Sequence, residues 1–208
     1  VTTEQPVEGP QRRRSRIRRQ KILDTASDSF GAKGFHATSL ADIAGQVGIT
    51  PAGILHHFGT KDVLLTELLR QRDSDDIAEA LRGDQPPRGI AFLAHLIDTA
   101  YRNQARRGTT QLYAVLSAES VTDDHPAQDW FRDRYAGLRS MIAEAIEQAR
   151  QDGDLPAGVD PAHAARGIIA VMDGLQVQWL LAPDQVDLGA DTRRGIEAIV
   201  GAPIVGRW

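Results

Sequence analysis

Residues 38–61, TSLADIAGQVGITPAGILHHFGTK, decide how the rest of the chain is read. Leu40, Ile43, Ala44 and Val47 recur at helical spacing and give one apolar face. Ser39 stands before them as a capping residue, with Asp42 three positions on in the place of the capping-box acid. Gly48 closes this helix, since glycine turns left-handed at a helix C-terminus without steric penalty. Ile49 supplies the apolar residue of the turn. Thr50 and Pro51 then open a second helix. Proline's missing N–H is harmless at the first helical position, and its ring pushes Thr50 into the extended conformation of a cap. Ile54 and Phe58, four apart, face back onto the first helix, and Gly59 ends the second. As a helix, residues 51–57 span roughly 10 Å at ~1.5 Å per residue. That fits a B-DNA major groove about 12 Å wide. Two short helices across a tight turn are the geometry of a helix-turn-helix.

The bulk properties bound what surrounds this motif. The 208 residues suffice for one or two domains with a real core. There is no cysteine, which removes disulfides, thiolate nucleophiles and cysteine-ligated zinc. No apolar run approaches the ~18 residues of a membrane span. The basic N-terminal run is not followed by the apolar core of a signal peptide, so the expected compartment is the cytoplasm, with no membrane partner. The net charge of −4 hides an asymmetry: residues 1–61 carry nine Lys/Arg against five acids, and the remainder 15 against 23. A basic third on an acidic remainder suits a DNA-facing module joined to a body that faces something else.

Gly34-Phe35, Thr38-Ser39, Asp42-Ile43-Ala44, Gly48-Ile49-Thr50, His57-Phe58, Lys61-Asp62 and Leu64 together resemble the DNA-binding domain of TetR-family transcriptional regulators. The match spans about 45 residues in order, far more than a bare helix-turn-helix. Beyond it the chain resembles the family in length and helical layout alone. One departure stands out: Leu55 occupies the place where the family usually carries Tyr, so a hydroxyl that often reaches phosphate is absent. The resemblance implies an all-α fold, an N-terminal helix-turn-helix followed by a helical ligand-binding and dimerisation domain, with about nine helices in all.

Read in order, residues 1–14 form a disordered basic arm, 15–60 the DNA-binding domain, and 61–208 the effector-binding and dimerisation domain. The first helix is expected from about Ser15 to Lys33, with Ile22, Leu23, Ala26 and Phe30 as its stripe and Gly34 as its end. A long helix from Thr60 to about Leu81 follows, then a linker, GDQPPR, at 83–88. Further helices are expected at about 89–106, 109–119, 127–152, 160–181 and 187–200. No strand signal, repeat, Gly-rich phosphate loop, nucleophile elbow or H-E-x-x-H motif is found.

DNA contacts are expected from the arm and the motif. Arg12, Arg13, Arg14 and Arg16 can reach an adjacent minor groove. Thr38, Ser39, Thr50 and Lys61 are the phosphate candidates. Lys61 opposes the dipole of the helix it starts, a sign that a phosphate there would reverse. Pro51, Ala52, Gly53 and Leu55 offer thymine-methyl contacts and close backbone approach but no bidentate pairing. His56 is read as a DNA contact; His57 either reaches phosphate or packs beside Phe58. Neighbouring side chains diverge, so neither this pair nor Asp123, Asp124 and His125 chelates a metal in the i, i+4 manner; no cofactor or metal is expected.

In the second domain, Phe92, His95, Tyr113, Trp130, Met141, Met172, Gln176 and Trp179 are the candidates for an effector pocket, with Gln176 and Trp179 one turn apart on one wall. The competing reading of the same residues is an ordinary helical core. Gly167 and Gly174, seven apart, mark a close helix approach, read as plain packing within a subunit or as a homodimer seam; the resemblance favours the seam. The resulting expectation is a sequence-specific transcriptional regulator, a homodimeric repressor released from operator DNA by a small-molecule effector. An effector-independent architectural DNA binder is the alternative. An all-α enzyme is a remoter one, since no nucleophile–base arrangement is visible.

Overall fold

The computed structural model describes residues 9–80 and 86–205, without the side chains of 75–80. The first eight residues of the expected arm and residues 83–85 of the expected linker lie outside that range. Among the described residues there are nine α-helices and no strand. They are α1 (Pro10–Ala37), α2 (Leu40–Val47), α3 (Pro51–Phe58), α4 (Lys61–Ala80), α5 (Ile90–Gln104), α6 (Arg107–Glu119), α7 (Gln128–Gln151), α8 (Pro161–Leu181) and α9 (Leu188–Val200).

The first helix begins five residues earlier than the sequence suggested. Pro10 occupies a first-turn position, where its fixed φ nucleates rather than breaks a helix, and Gly9 precedes it in extended conformation. Arg12, Arg13 and Arg14 are therefore exposed on the opening turns of α1, not on a disordered arm. Gly34 interrupts the helix at φ 78°, ψ 174°, and the chain makes one more turn to Ala37. That combination is essentially confined to glycine, so the bend is written into the residue.

Packing divides into two main cores. In the first, Ile22, Phe30, Ile43, Ile54, Leu64 and Leu65 are fully buried together with Leu112 and Leu116 of α6. Each such side chain contributes roughly 1.5–3 kcal/mol on removal from water. This core runs past position 60 into α4 and joins the helix-turn-helix to α6 and to Phe131 of α7. The second core gathers Leu93 and Ile97 of α5, Ile142 and Ile146 of α7, Ile168 of α8, and Ile196 and Val200 of α9.

The α8–α9 crossing corrects the reading of Gly167 as a dimer seam. A Cβ at Gly167 would lie 3.3 Å from Ile199 Cδ1 of α9, so its small size serves packing within the chain. Gly174 has nothing within 4 Å of its Cβ position and faces outward.

Candidate nucleic-acid interface and ligand cavity

Each end of the two motif helices is closed locally. The Ser39 hydroxyl accepts from Asp42 N at 3.1 Å, and Ser39 N donates back to the Asp42 carboxylate at 3.4 Å. Those bonds hold the Asp42 carboxyl below the usual carboxylate range. Gly48 turns left-handed at φ 81°, ψ 38°, and Thr50 Oγ1 accepts from Gly53 N at 3.2 Å. Ile54 and Phe58 are buried, so Pro51, Ala52, Leu55 and His56 stand outward on one face of α3. Gly53 and His57 are half-buried at its flanks.

His57 lies between its two expected roles. Its ring is near Phe58, centroid to centroid 6.3 Å, and burial followed by the charges of His56, Arg18 and Arg19 pushes its pKa down. A neutral imidazole there can donate one hydrogen bond and accept another but adds no charge against phosphate.

Two phosphate candidates are committed elsewhere. Thr38 is 1% exposed, and its hydroxyl, which has a single proton, lies 2.7 Å from Gly34 O and 3.1 Å from Ser29 O. It fastens the bend of α1 and cannot present that hydroxyl to DNA. Lys61 Nζ donates to Phe35 O at 2.5 Å and sits 4.1 Å from the Phe35 ring centroid; burial lowers its pKa. Its first duty is to tie the start of α4 to the end of α1. Ser39 and Thr50 remain exposed.

The arginines separate by helical pitch. Arg16 and Arg19 line a groove against Glu67 and Arg70 of α4, with Arg19 Nη2 2.7 Å from Glu67 and its guanidinium 4.4 Å from the Phe58 ring. Arg18 is exposed beside His57, at the edge of the outward face of α3. Arg18 is not among the expected DNA contacts, yet its i, i+3 relation to Lys21, which donates to Val47 O at 2.9 Å, places both on the motif side of α1.

A cavity of about 530 Å³ opens between α5 and α7. Phe92, His95 and Met141 line it, as expected. The other candidates do not. Tyr113 and Trp130 pack against the first core with Arg134 over both rings. Trp179 is buried with Ala100 and Leu188, with Arg107 over its ring. Met172 leans on the second core, and Gln176 is likewise absent from the cavity wall. The walls instead include Leu96, Thr99, Arg102 and Leu138, with Asp73 from α4. Thr99 and Arg102 continue the Phe92–His95–Leu96 face at helical spacing, a signal that aromatic-centred reading overlooked.

Two family models match this chain: the tetR-family model of bacterial regulatory proteins over residues 22–68, and the C-terminal model of BetI-type transcriptional repressors over residues 91–201. The second alone covers more than half of the chain. The protein belongs to the TetR family. The chain is 28% identical over 188 residues to the HTH-type transcriptional regulator TtgR of Pseudomonas putida, covering 86% of this chain and 88% of that one. Among solved structures, the SmeT–triclosan complex, SmeT being a Stenotrophomonas maltophilia repressor, shares the fold with a TM-score of 0.69 at 20% identity. That match covers 89% of this chain and 90% of SmeT. A transcriptional regulator of Saccharomonospora viridis in complex with choline gives a TM-score of 0.72 at 23% identity, covering 91% and 98%.

In this TetR-family regulator the helix-turn-helix and the body meet at the Gly34 bend. Phe35 N donates to the Glu119 carboxylate at 2.6 Å, from the last turn of α6, while Phe35 O accepts from Lys61. The φ of 78° is what favours glycine here, and a Cβ on Gly34 would sit 2.2 Å from Glu119 Oε1, pushing that carboxylate off Phe35 N. His125 stacks edge-on against Phe35 and His36, with Nε2 3.9 Å from Glu119; burial lowers its pKa. The backbone of one residue of α1 is thus gripped by α4 and by α6. Glu119 carries no local sequence signal for this contact, which joins positions 84 apart.

Proposed function

We propose that the protein is a homodimeric, cytoplasmic repressor that releases operator DNA when a small organic molecule enters the cavity between α5 and α7. The observation that carries this reading is the reach of α4. Its first residue, Lys61, holds the end of α1 beside the helix-turn-helix, and Asp73, three turns on, lines the cavity and is paired with Arg134 of α7. A ligand that spreads or draws in α7 acts on the same rigid helix that seats the head. The SmeT–triclosan complex supports a small organic effector.

In this reading α3 enters the major groove, with Pro51, Ala52, Gly53, Leu55 and His56 toward the bases. Ser39, Thr50, Arg18 and the opening arginines of α1 approach phosphates, which fix register rather than sequence. The dimer forms through the outward face of α8. Ala170, Asp173, Gly174, Val177, Gln178 and Leu181 are all exposed and recur at three- and four-residue spacing, Leu181 at 81%. Two heads docked on one DNA face require half-sites about 34 Å apart. The effector shifts the equilibrium by its differential affinity for the two head spacings and by nothing else.

A fluorescence-melting screen of metabolites and drugs on the purified protein, followed by gel shift with the hits, tests the proposal. A stabilising ligand that lowers operator affinity supports it. Gly137→Trp places an indole into the cavity from a position with nothing within 4 Å of its Cβ, and is expected to abolish ligand stabilisation while leaving DNA binding in place. Ligands that bind equally well to Gly137→Trp, or that leave operator affinity untouched, overturn the assignment of this cavity.

A further inference from the structure

The cavity has two unlike ends. Gly89 N, at the start of α5, donates to Gln148 Oε1 near the end of α7 at 3.1 Å, so the two helices run antiparallel along the walls. The end of α5 therefore faces the start of α7. There, among the described lining residues, Arg102 and Arg106 join Arg134, against Asp133 and the Asp73 already paired with Arg134, an excess of one positive charge. Arg102 donates to Thr99 Oγ1 at 2.8 Å, one of the five N–H groups of a guanidinium. At the opposite end Arg88 and Glu144 balance. Between the ends the lining is Leu96, Leu138 and Met141.

The aromatic groups that would receive an organic cation are engaged internally. Tyr113 and Trp130 stack with centroids 6.1 Å apart, and the Arg134 guanidinium lies 4.9 Å and 5.4 Å from the two ring centroids. Recognition of a quaternary ammonium relies on several electron-rich rings around the charge. Among the described lining residues of the cavity only Phe92 and His95 are aromatic. The rings that would complete such a cage already hold the protein's own cation.

We infer that the cavity selects an amphipathic organic anion, its carboxylate or equivalent acid group at Arg102 and Arg106 and its apolar body along Leu96, Leu138 and Met141. This rests on the reading of the cavity as the effector site. It sets this chain apart from the choline-bound relative of similar fold. The plain alternative is that the two arginines compensate the dipole at the C-terminal end of α5. That role requires no ligand and no preference for charge.

Calorimetry with three probes of one shape decides between them: 4-phenylbutyrate, 4-phenylbutan-1-ol and 4-phenylbutylammonium. The full-length dimer is expected to bind the acid roughly tenfold more tightly than the alcohol, as charge-assisted bonds to arginine require, and the ammonium most weakly. The double substitution Arg102→Gln with Arg106→Gln is expected to erase the acid's advantage while leaving alcohol affinity and helical content unchanged. Alcohol or ammonium binding as tightly as the acid overturns the anion assignment, as does an unchanged preference in the double variant or no binding by the acid at millimolar concentration. The effector reading is judged separately. A neutral or cationic hit from the melting screen that is blocked by Gly137→Trp and weakens operator binding leaves it standing after the anion assignment falls. An acid that binds through the two arginines without changing operator affinity does the reverse.

Discussion

Both helices of the DNA-binding motif begin under a side chain of their own neighbourhood: Ser39 caps α2 and Thr50 caps α3. The helices around the cavity begin otherwise. α5 and α7 start at Gly89 and Ala127 with no side-chain cap, as does α6 between them at Arg106, and the start of α5 is held by a distant partner, Gln148 on Gly89. A motif closed locally keeps its shape wherever the rest of the chain moves. A cavity whose walls are held across the fold can change shape with its contents. The head is thus built to be carried, and the body to shift.

The contrast is sharpest where the two regions share a core. Phe30 is fully buried between α1, the motif and α6, and Phe30→Ala is expected to lower unfolding stability by roughly 3–5 kcal/mol. The loss should appear in one cooperative denaturation transition followed by both near- and far-UV dichroism. A separate early transition confined to the head would break the picture of a continuous core.

Next in size is the grip on Phe35. Glu119→Ala leaves that peptide N–H without its acceptor and is expected to cost about 1–3 kcal/mol, with weaker operator binding in gel shift. Glu119→Gln keeps a carbonyl acceptor and should recover most of both. Equal operator affinity for the alanine variant and the wild type would remove Glu119 from the seating of the head.

Caps come next. Thr50→Ala is expected to destabilise by about 0.5–2 kcal/mol in urea titration. Arg106→Ala, at the uncapped start of α6, should fall within about 0.5 kcal/mol of wild type, as surface changes do. Equal losses would erase the distinction between the two regions.

The smallest effect expected is one of pH. Burial holds folded His125 below the ~6.5 of an unfolded histidine. As pH falls, the unfolded chain takes up the proton first. This contribution is therefore fully present above pH ~6.5 and is lost progressively as pH drops toward the folded value. His125→Asn retains an acceptor for Ala127 N, a bond made at 3.2 Å by His125 Nδ1, and should flatten the stability profile below about pH 6.5. An unchanged profile would assign the pH dependence to other groups.

How much of this was legible in the sequence follows from the same contrast. Ser39, Asp42, Gly48, Thr50 and Pro51 act within a few residues of themselves, so their spacing disclosed the motif and the ends of both helices. The helical class and the approximate bounds of α8 and α9 were legible from the sequence, and the structure adds Asp160 and Asp187 as their caps. The cavity was not. Tyr113, Trp130 and Trp179 drew attention as aromatics, yet each is covered by an arginine from another part of the chain, a pairing that only the fold makes. Thr38 and Lys61 were readable as polar residues at the right places. Their diversion to Gly34 O and Phe35 O depends on the bend at Gly34, whose φ of 78° no spacing rule announces. Gly167 showed that a helix comes close, but not that the helix is α9 of the same chain.

Calorimetric titration of one cavity ligand into the protein, with and without saturating operator DNA, shows whether the cavity and the DNA-binding head are two sites on one equilibrium. Linkage requires the factor by which ligand weakens operator binding to reappear as the factor by which operator weakens ligand binding. The expected result is a ligand Kd raised by that factor when operator is present, about 5- to 150-fold at the usual coupling of roughly 1–3 kcal/mol. Ligand affinities that are the same in both titrations would rule out coupling between cavity and head, however tightly the ligand binds.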